Sequence, residues 1–319
     1  MRAVVVDAGG PRLGEVPDPS PGPGEVLVRV RASALNRADL LQVRGLYPPP
    51  PGESEVPGLE CAGEIEDAGG ADGWHRDDRV MALLAGGGHG EKAAVPAGQL
   101  MRVPAGLDFT AAAALPEVAL TAWTNLVHEG GLVEGASVLV TAAASGVGTF
   151  AVQLARELGA RVLVAGRRLE RLEPLRELGA DVCLELGDGL AEAVREATGG
   201  AGVDLVMDLA GGAGVNDLLR ALKSRGRLVL VGLLAGARAE IDLAEVLRRR
   251  LRLIGSVLRA RSRDEKARLV AGFLAFARDR LDDGRLRPIV DRVYPFAEVT
   301  EAYRQMERGG NWGKLVLEM

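Results

Sequence analysis

Cysteine, histidine, lysine and aromatic side chains are all scarce in this chain. Two cysteines, Cys61 and Cys183, stand among 319 residues. That excludes a disulfide-rich secreted fold and agrees with a reducing compartment. The three histidines, His75, His89 and His128, have no ligand-type partner nearby in sequence, so a histidine metal centre is not expected. Aromatics make up 3% and the net charge is −5. A basic, aromatic nucleic-acid surface is therefore not expected. No apolar run reaches the roughly 18 residues of a membrane helix. The opening Met1-Arg2-Ala3-Val4-Val5-Val6-Asp7 meets an acid too soon for a signal peptide. These absences predict a cytoplasmic protein without nucleic-acid or membrane partners.

What is present is an apolar content of 47% and a charged content of 26%, a soluble globular profile, over 319 residues, a length that suits two cores rather than one. The first part is β-rich. Residues 25–32 alternate polar and apolar with period two, as a half-buried strand does. Short strands are expected at 64–65, 79–82 and 92–95, between loops rich in proline and glycine. One such loop, Tyr47-Pro48-Pro49-Pro50-Pro51-Gly52, is stiffened by four prolines. A helical stretch is expected over 110–127. Six apolar strands then alternate with helices, near 138–141, 161–164, 182–184, 204–207, 227–231 and 253–257, with helices over 150–158 and 169–178 among them. Continuous apolar runs of this kind belong to a parallel sheet covered on both faces. The fold class is α/β, with a doubly wound Rossmann sheet. A helix over 264–279, a strand near 289–290, a helix over 297–306 and a strand over 314–318 close the chain.

Between the first of these strands and its helix lies Ala143-Ala144-Ser145-Gly146-Val147-Gly148. Strand, tight turn and helix are the context in which a G-x-G-x-x-G pattern binds a dinucleotide pyrophosphate. Ala143, Ser145 and Gly148 occupy its three glycine positions. The second strand ends at Ala165-Gly166, followed by Arg167-Arg168. An NAD site usually carries an acid there. Two guanidiniums instead attract a 2′-phosphate, so NADPH is expected over NADH. The plainer alternative is that both arginines only solvate the next helix.

Several segments together resemble a family. Residues Ala32-Ser33-Ala34-Leu35-Asn36-Arg37-Ala38-Asp39, Val56-Pro57-Gly58-Leu59-Glu60-Cys61-Ala62-Gly63, Leu120-Thr121-Ala122, Ser145-Gly146-Val147-Gly148 and Gly313-Lys314-Leu315-Val316-Leu317 occur in this order. They resemble the zinc-free quinone oxidoreductase branch of the medium-chain dehydrogenase/reductase superfamily. Residues 44–52 and 81–88 are most similar to the p53-inducible quinone oxidoreductase subfamily. The resemblance implies a GroES-like catalytic domain at 1–115, a Rossmann domain at 116–255, and a return to the catalytic domain at 256–319. It also implies a cleft for cofactor and substrate, and a homodimer paired through the last sheet strand. Zinc-dependent relatives carry cysteine where Asn36 stands and histidine where Leu59 stands, and their four-cysteine lobe has no counterpart among residues 74–95.

Without a metal, a quinone or an activated alkene is electrophilic enough to take hydride with hydrogen bonds alone. The resemblance assigns Asn36 and Tyr47 to catalysis. To the cofactor contacts read above at Ser145, Gly146, Val147, Gly148, Gly166, Arg167 and Arg168 it adds Asn36, Tyr47, Thr121, Gly232, Val257, Leu258, Arg259, Asn311 and Lys314, with Lys314 meeting a phosphate. Each of the two catalytic candidates has a plainer use: Tyr47 can pack on prolines, and Asn36 can cap a turn. Reduction of an enal or enone C=C bond, and a non-catalytic NADPH-binding role, remain as alternatives.

Overall fold

The computed structural model describes residues 1–319, which divide into two compact units. The first comprises residues 1–120 and 258–319, the second residues 121–257.

The first unit is built on a seven-stranded sheet. Its strands run in the order Val290–Pro295, Lys314–Glu318, Glu25–Ala34, Glu60–Asp67, Arg79–Leu83 and Leu100–Arg102, with Lys92–Pro96 also pairing on Glu25–Ala34. The period-two pattern of Glu25–Ala34 places Val26, Val28 and Val30 in the core, against Ile65, Val80 and Val95. The closing strand pairs antiparallel with Glu25–Ala34, Leu317 opposite Ser33. That register brings Lys314 to the end of the same strand, beside Leu35 and Asn36.

In the second unit six parallel strands form one sheet, in the order Val182–Glu185, Arg161–Gly166, Ser137–Thr141, Val203–Asp208, Leu222–Leu230, Arg252–Gly255. This is the doubly wound order 3-2-1-4-5-6, with its switch point between Ser137–Thr141 and Val203–Asp208. The central strands are buried, as their apolar runs require, apart from the part-exposed Asp204.

Proline sets two departures from the expected helices. The stretch expected over 110–127 is broken into Phe109–Ala113, Pro116–Trp123 and a π-helical turn Thr124–Glu129. Pro116 has no N–H to continue the first helix and opens the second. The helix expected over 169–178 is a 3-10 turn Leu169–Arg171 and a short helix Leu175–Leu178, separated by Pro174.

Candidate functional site

At the C-terminal edge of the parallel sheet, the second unit gathers the residues of the phosphate turn. Ser145 caps the helix Gly146–Glu157, its Oγ accepting from the Gly148 amide at 3.1 Å. A Cβ on Gly148 would lie 2.5 Å from the Ala143 carbonyl oxygen. Only glycine lets the helix start approach the strand end so closely, the role of the third glycine in a dinucleotide turn. Ala142 holds a left-handed backbone, φ 46°, a conformation that costs a non-glycine residue about 1–2 kcal/mol.

The two neighbouring strand ends complete this edge. Gly166 is buried, and a Cβ there would meet Leu172 at 2.9 Å. Arg167 and Arg168 follow it, both exposed, and no carboxylate pairs with either guanidinium. Gly232 lies against the chain after Val203–Asp208, where a Cβ would be 2.5 Å from the Leu209 oxygen. The sequence reading missed Asp208, a fully buried carboxylate at the switch point. It accepts from Thr141 Oγ1 at 2.7 Å and from the amides of Ala210 and Gly211, and so fixes the loop that Gly232 packs on. Thr121 is buried, its carbonyl accepting from Asn125 Nδ2 at 2.7 Å. Val257 is exposed.

These features fit a dinucleotide. The cradle beside Gly148 has no room for a side chain, the helix N-terminus offers amides and a favourable dipole, and the second strand end offers cations where an acid would repel a 2′-phosphate.

The first unit holds a separate polar cluster. Lys314 is buried, and its ammonium donates to the Leu35 carbonyl at 2.7 Å and to Asn36 Oδ1 at 2.6 Å, and pairs with Glu60 Oε1 at 2.6 Å. Asn36 Nδ2 donates to the same Glu60 oxygen at 2.9 Å and to the Ala34 carbonyl at 3.3 Å. The other Glu60 oxygen accepts from the Glu117 amide at 2.8 Å, satisfying an N–H in the first turn of Pro116–Trp123. Asn36 is the N-cap residue of the helix Arg37–Val43, and Asp39 accepts from its amide at 2.7 Å. Asp39 also accepts from Gly58 at 3.1 Å and lies 3.5 Å from His89 Nε2.

Two expected roles change on this geometry. Lys314, expected to meet a cofactor phosphate, has all three of its donors taken inside the unit. Asn36, expected to donate toward an acceptor or the ribose, spends both amide protons on Glu60 and Ala34. It stands at the N-cap position of the helix, while its side chain is engaged by Ala34, Glu60 and Lys314.

Tyr47 is half-buried, and its hydroxyl makes no hydrogen bond within the chain. Arg259 holds its loop: the guanidinium donates to the carbonyls of Tyr47 at 2.9 Å and Ala85 at 2.7 Å, and to Gln42 Oε1 at 2.6 Å. It also lies 5.1 Å from the centre of the Tyr47 ring, a cation–π distance. Burial raises the Tyr47 phenol above its ordinary pKa, the Glu117 charge adds to this, and Arg259 opposes it. Burial pushes the Glu117 carboxyl up to about 8, helped by Glu60 and Asp39 and opposed by Lys314 and Lys266. Leu258 is buried, and Asn311 Nδ2 donates to the Gly313 carbonyl at 2.7 Å.

A GroES-like sheet unit joined to a 3-2-1-4-5-6 nucleotide fold defines a class of two-domain dehydrogenases, and comparison with known proteins gives the family. Residues 22–105 match the alcohol dehydrogenase GroES-like domain, and residues 146–274 match the zinc-binding dehydrogenase domain. The chain is 33% identical over 316 residues to the human synaptic vesicle membrane protein VAT-1 homolog, covering 94% of this chain and 80% of that protein. It is 28% identical over 326 residues to human quinone oxidoreductase, covering 99% and 97%. The quinone oxidoreductase of Thermus thermophilus, whose structures include an NADPH complex, aligns over 100% of both chains with 37% identity and a TM-score of 0.85. The chain belongs to the medium-chain dehydrogenase/reductase superfamily, in its quinone oxidoreductase branch.

The residues present do not fit the zinc that one domain description names. Leu59 is apolar, Asn36 is an amide with both N–H groups and its oxygen engaged, and the Glu60 carboxylate is neutralised by Lys314. No group of three or more His, Cys, Asp or Glu is arranged to hold a metal.

Proposed function

We propose that the protein is an NADPH-dependent, metal-independent quinone reductase. The observation that carries the cofactor choice is the pair Arg167 and Arg168, exposed and without carboxylate partners at the end of the second parallel strand. Bound there, NADPH supplies a hydride. The turn residues Ser145, Gly146, Val147 and Gly148 hold its pyrophosphate on backbone amides, and Arg167 and Arg168 hold its 2′-phosphate. Gly166, Gly232, Thr121 and Val257, of the same unit, line it in this reading. Tyr47 presents its free hydroxyl to the acceptor carbonyl, with Arg259 fixing the loop. Asn36, locked by Lys314 and Glu60, acts as a positioning residue. The relative named quinone oxidoreductase, and the NADPH complex named for the Thermus protein, support the cofactor and acceptor class.

One observation favours a second reading, reduction of the C=C bond of an enal or enone. That reaction must protonate carbon, and Glu117, pushed up to about 8, is still an acid at neutral pH. Parallel turnover of 1,4-naphthoquinone and a 2-alkenal separates the two. The quinone reading expects the larger kcat/KM for the quinone, and Tyr47→Phe to lower kcat about 10- to 100-fold with NADPH binding unchanged. A larger value for the alkenal selects the second reading, and no turnover of either rejects both. A homodimer through the edge strand Arg252–Gly255 belongs to the same proposal, since Leu253 and Val257 expose apolar surface there.

A further inference from the structure

Lys266 is the one lysine of four that no described interaction explains. It lies in the first turn of the helix Arg263–Asp282, capped by Ser262, and is only 2% exposed. Its ammonium makes no hydrogen bond and has no carboxylate within 4.0 Å. Lys92, Lys223 and Lys314 each have an ion-pair partner. The position is unfavourable three times over. Burial strips water from the charge, the helix N-terminus repels a cation, and Arg259 and Arg263 repel it as well. Glu53 and Glu117 attract it from beyond contact distance, and Glu53 is already 3.6 Å from Arg263. The facing turn Ala97–Gln99, whose Gly98 packs on Ala267, carries a buried polar atom without a partner, Gln99 Oε1. Such an arrangement is that of a cation kept for a ligand.

We propose that the Lys266 ammonium binds the acceptor, receiving the oxygen that becomes anionic on reduction. The inference rests on the quinone reading above. When a quinone accepts hydride, the donor C–H bond breaks and, in the net step, its hydrogen and electron pair form an O–H bond at one quinone oxygen while the other oxygen takes the negative charge. The dihydronicotinamide is oxidised to NADP+ and the quinone reduced to a hydroquinone monoanion, which then takes one proton from water. An ammonium without a carboxylate partner stabilises that oxygen more than the neutral carbonyl before it, which is what accelerates the step. Lys266, Tyr47 and Glu117 lie in the same unit, and the chain that follows the Tyr47 loop meets the helix of Lys266 through Glu53, 3.6 Å from Arg263.

The test uses 4-nitrophenol, whose anion absorbs in the visible and resembles the monoanion, titrated with pH into the full-length protein saturated with NADP+. The expected result is a bound phenol ionising about tenfold more readily with wild type than with Lys266→Met. Lys266→Arg should keep the effect, and NADP+ affinity should be the same in all three. Lys266→Gln is read alongside in case the Met variant does not fold. Equal ionisation with and without the charge, or no phenol binding by wild type, overturns the inference. Quinone turnover measured separately keeps the two readings apart. Turnover without a Lys266-dependent shift rejects this inference alone, and the shift without turnover rejects the reductase reading while the anion site stands.

Discussion

Lys314, Asn36 and Glu60 satisfy one another's charge and hydrogen bonds at 2.6–2.9 Å, and Glu117 lies at the edge of that network. Its carboxyl is pushed up to about 8 from an ordinary value near 4.5. The folded protein therefore holds a proton between those pH values that the unfolded chain has released, and stability falls as pH rises through this window. Glu117→Gln removes the penalty. The variant should match wild type near pH 4 and exceed it by up to ~4 kcal/mol at pH 8, measured by urea denaturation across pH; a constant difference would contradict the assignment. At this scale the sequence was only partly legible. The motifs brought Asn36 and Lys314 to notice, yet not their engagement, because the two meet across 278 positions of chain that no local pattern connects. Glu60 was visible only as an acid beside a motif, and Lys266 only as one of few lysines.

Elements were far more legible, because apolar periodicity reports burial directly. The six continuous apolar runs are the six parallel strands, and the alternating run at Glu25–Ala34 is a half-buried strand. Helix ends were less so. Pro116 and Pro174 decide where helices break, and the π-helical turn Thr124–Glu129 has no signature in composition. The phosphate turn offers a test. A methyl on Gly148 would press on the Ala143 backbone at 2.5 Å, where neither side can yield as a flexible side chain would. Gly148→Ala should cost about 1–3 kcal/mol of stability and weaken NADPH binding by tenfold or more, read by calorimetric titration. Unchanged affinity would mean that the turn does not cradle the pyrophosphate.

For the molecule as a whole, the two-unit architecture follows from a chain too long for one core with a strand that returns to pair with residues 32–34. No helix is long and apolar enough to cross a membrane. The proposed dimer predicts twice the chain mass in sedimentation equilibrium, and Leu253→Lys should shift the species toward monomer; a monomeric wild type contradicts it. The central claim concerns the cofactor, and the most direct measurement is the ratio of kcat/KM for NADPH over NADH with 1,4-naphthoquinone, in wild type and in Arg167→Asp/Arg168→Asp. Charge-assisted hydrogen bonds to a phosphate contribute about 1.5–3 kcal/mol each, and every 1.4 kcal/mol is about tenfold. The account predicts a wild-type ratio of roughly 100 or more that falls to one or below in the double variant. A wild-type preference for NADH, or a ratio the substitutions leave unchanged, would contradict it.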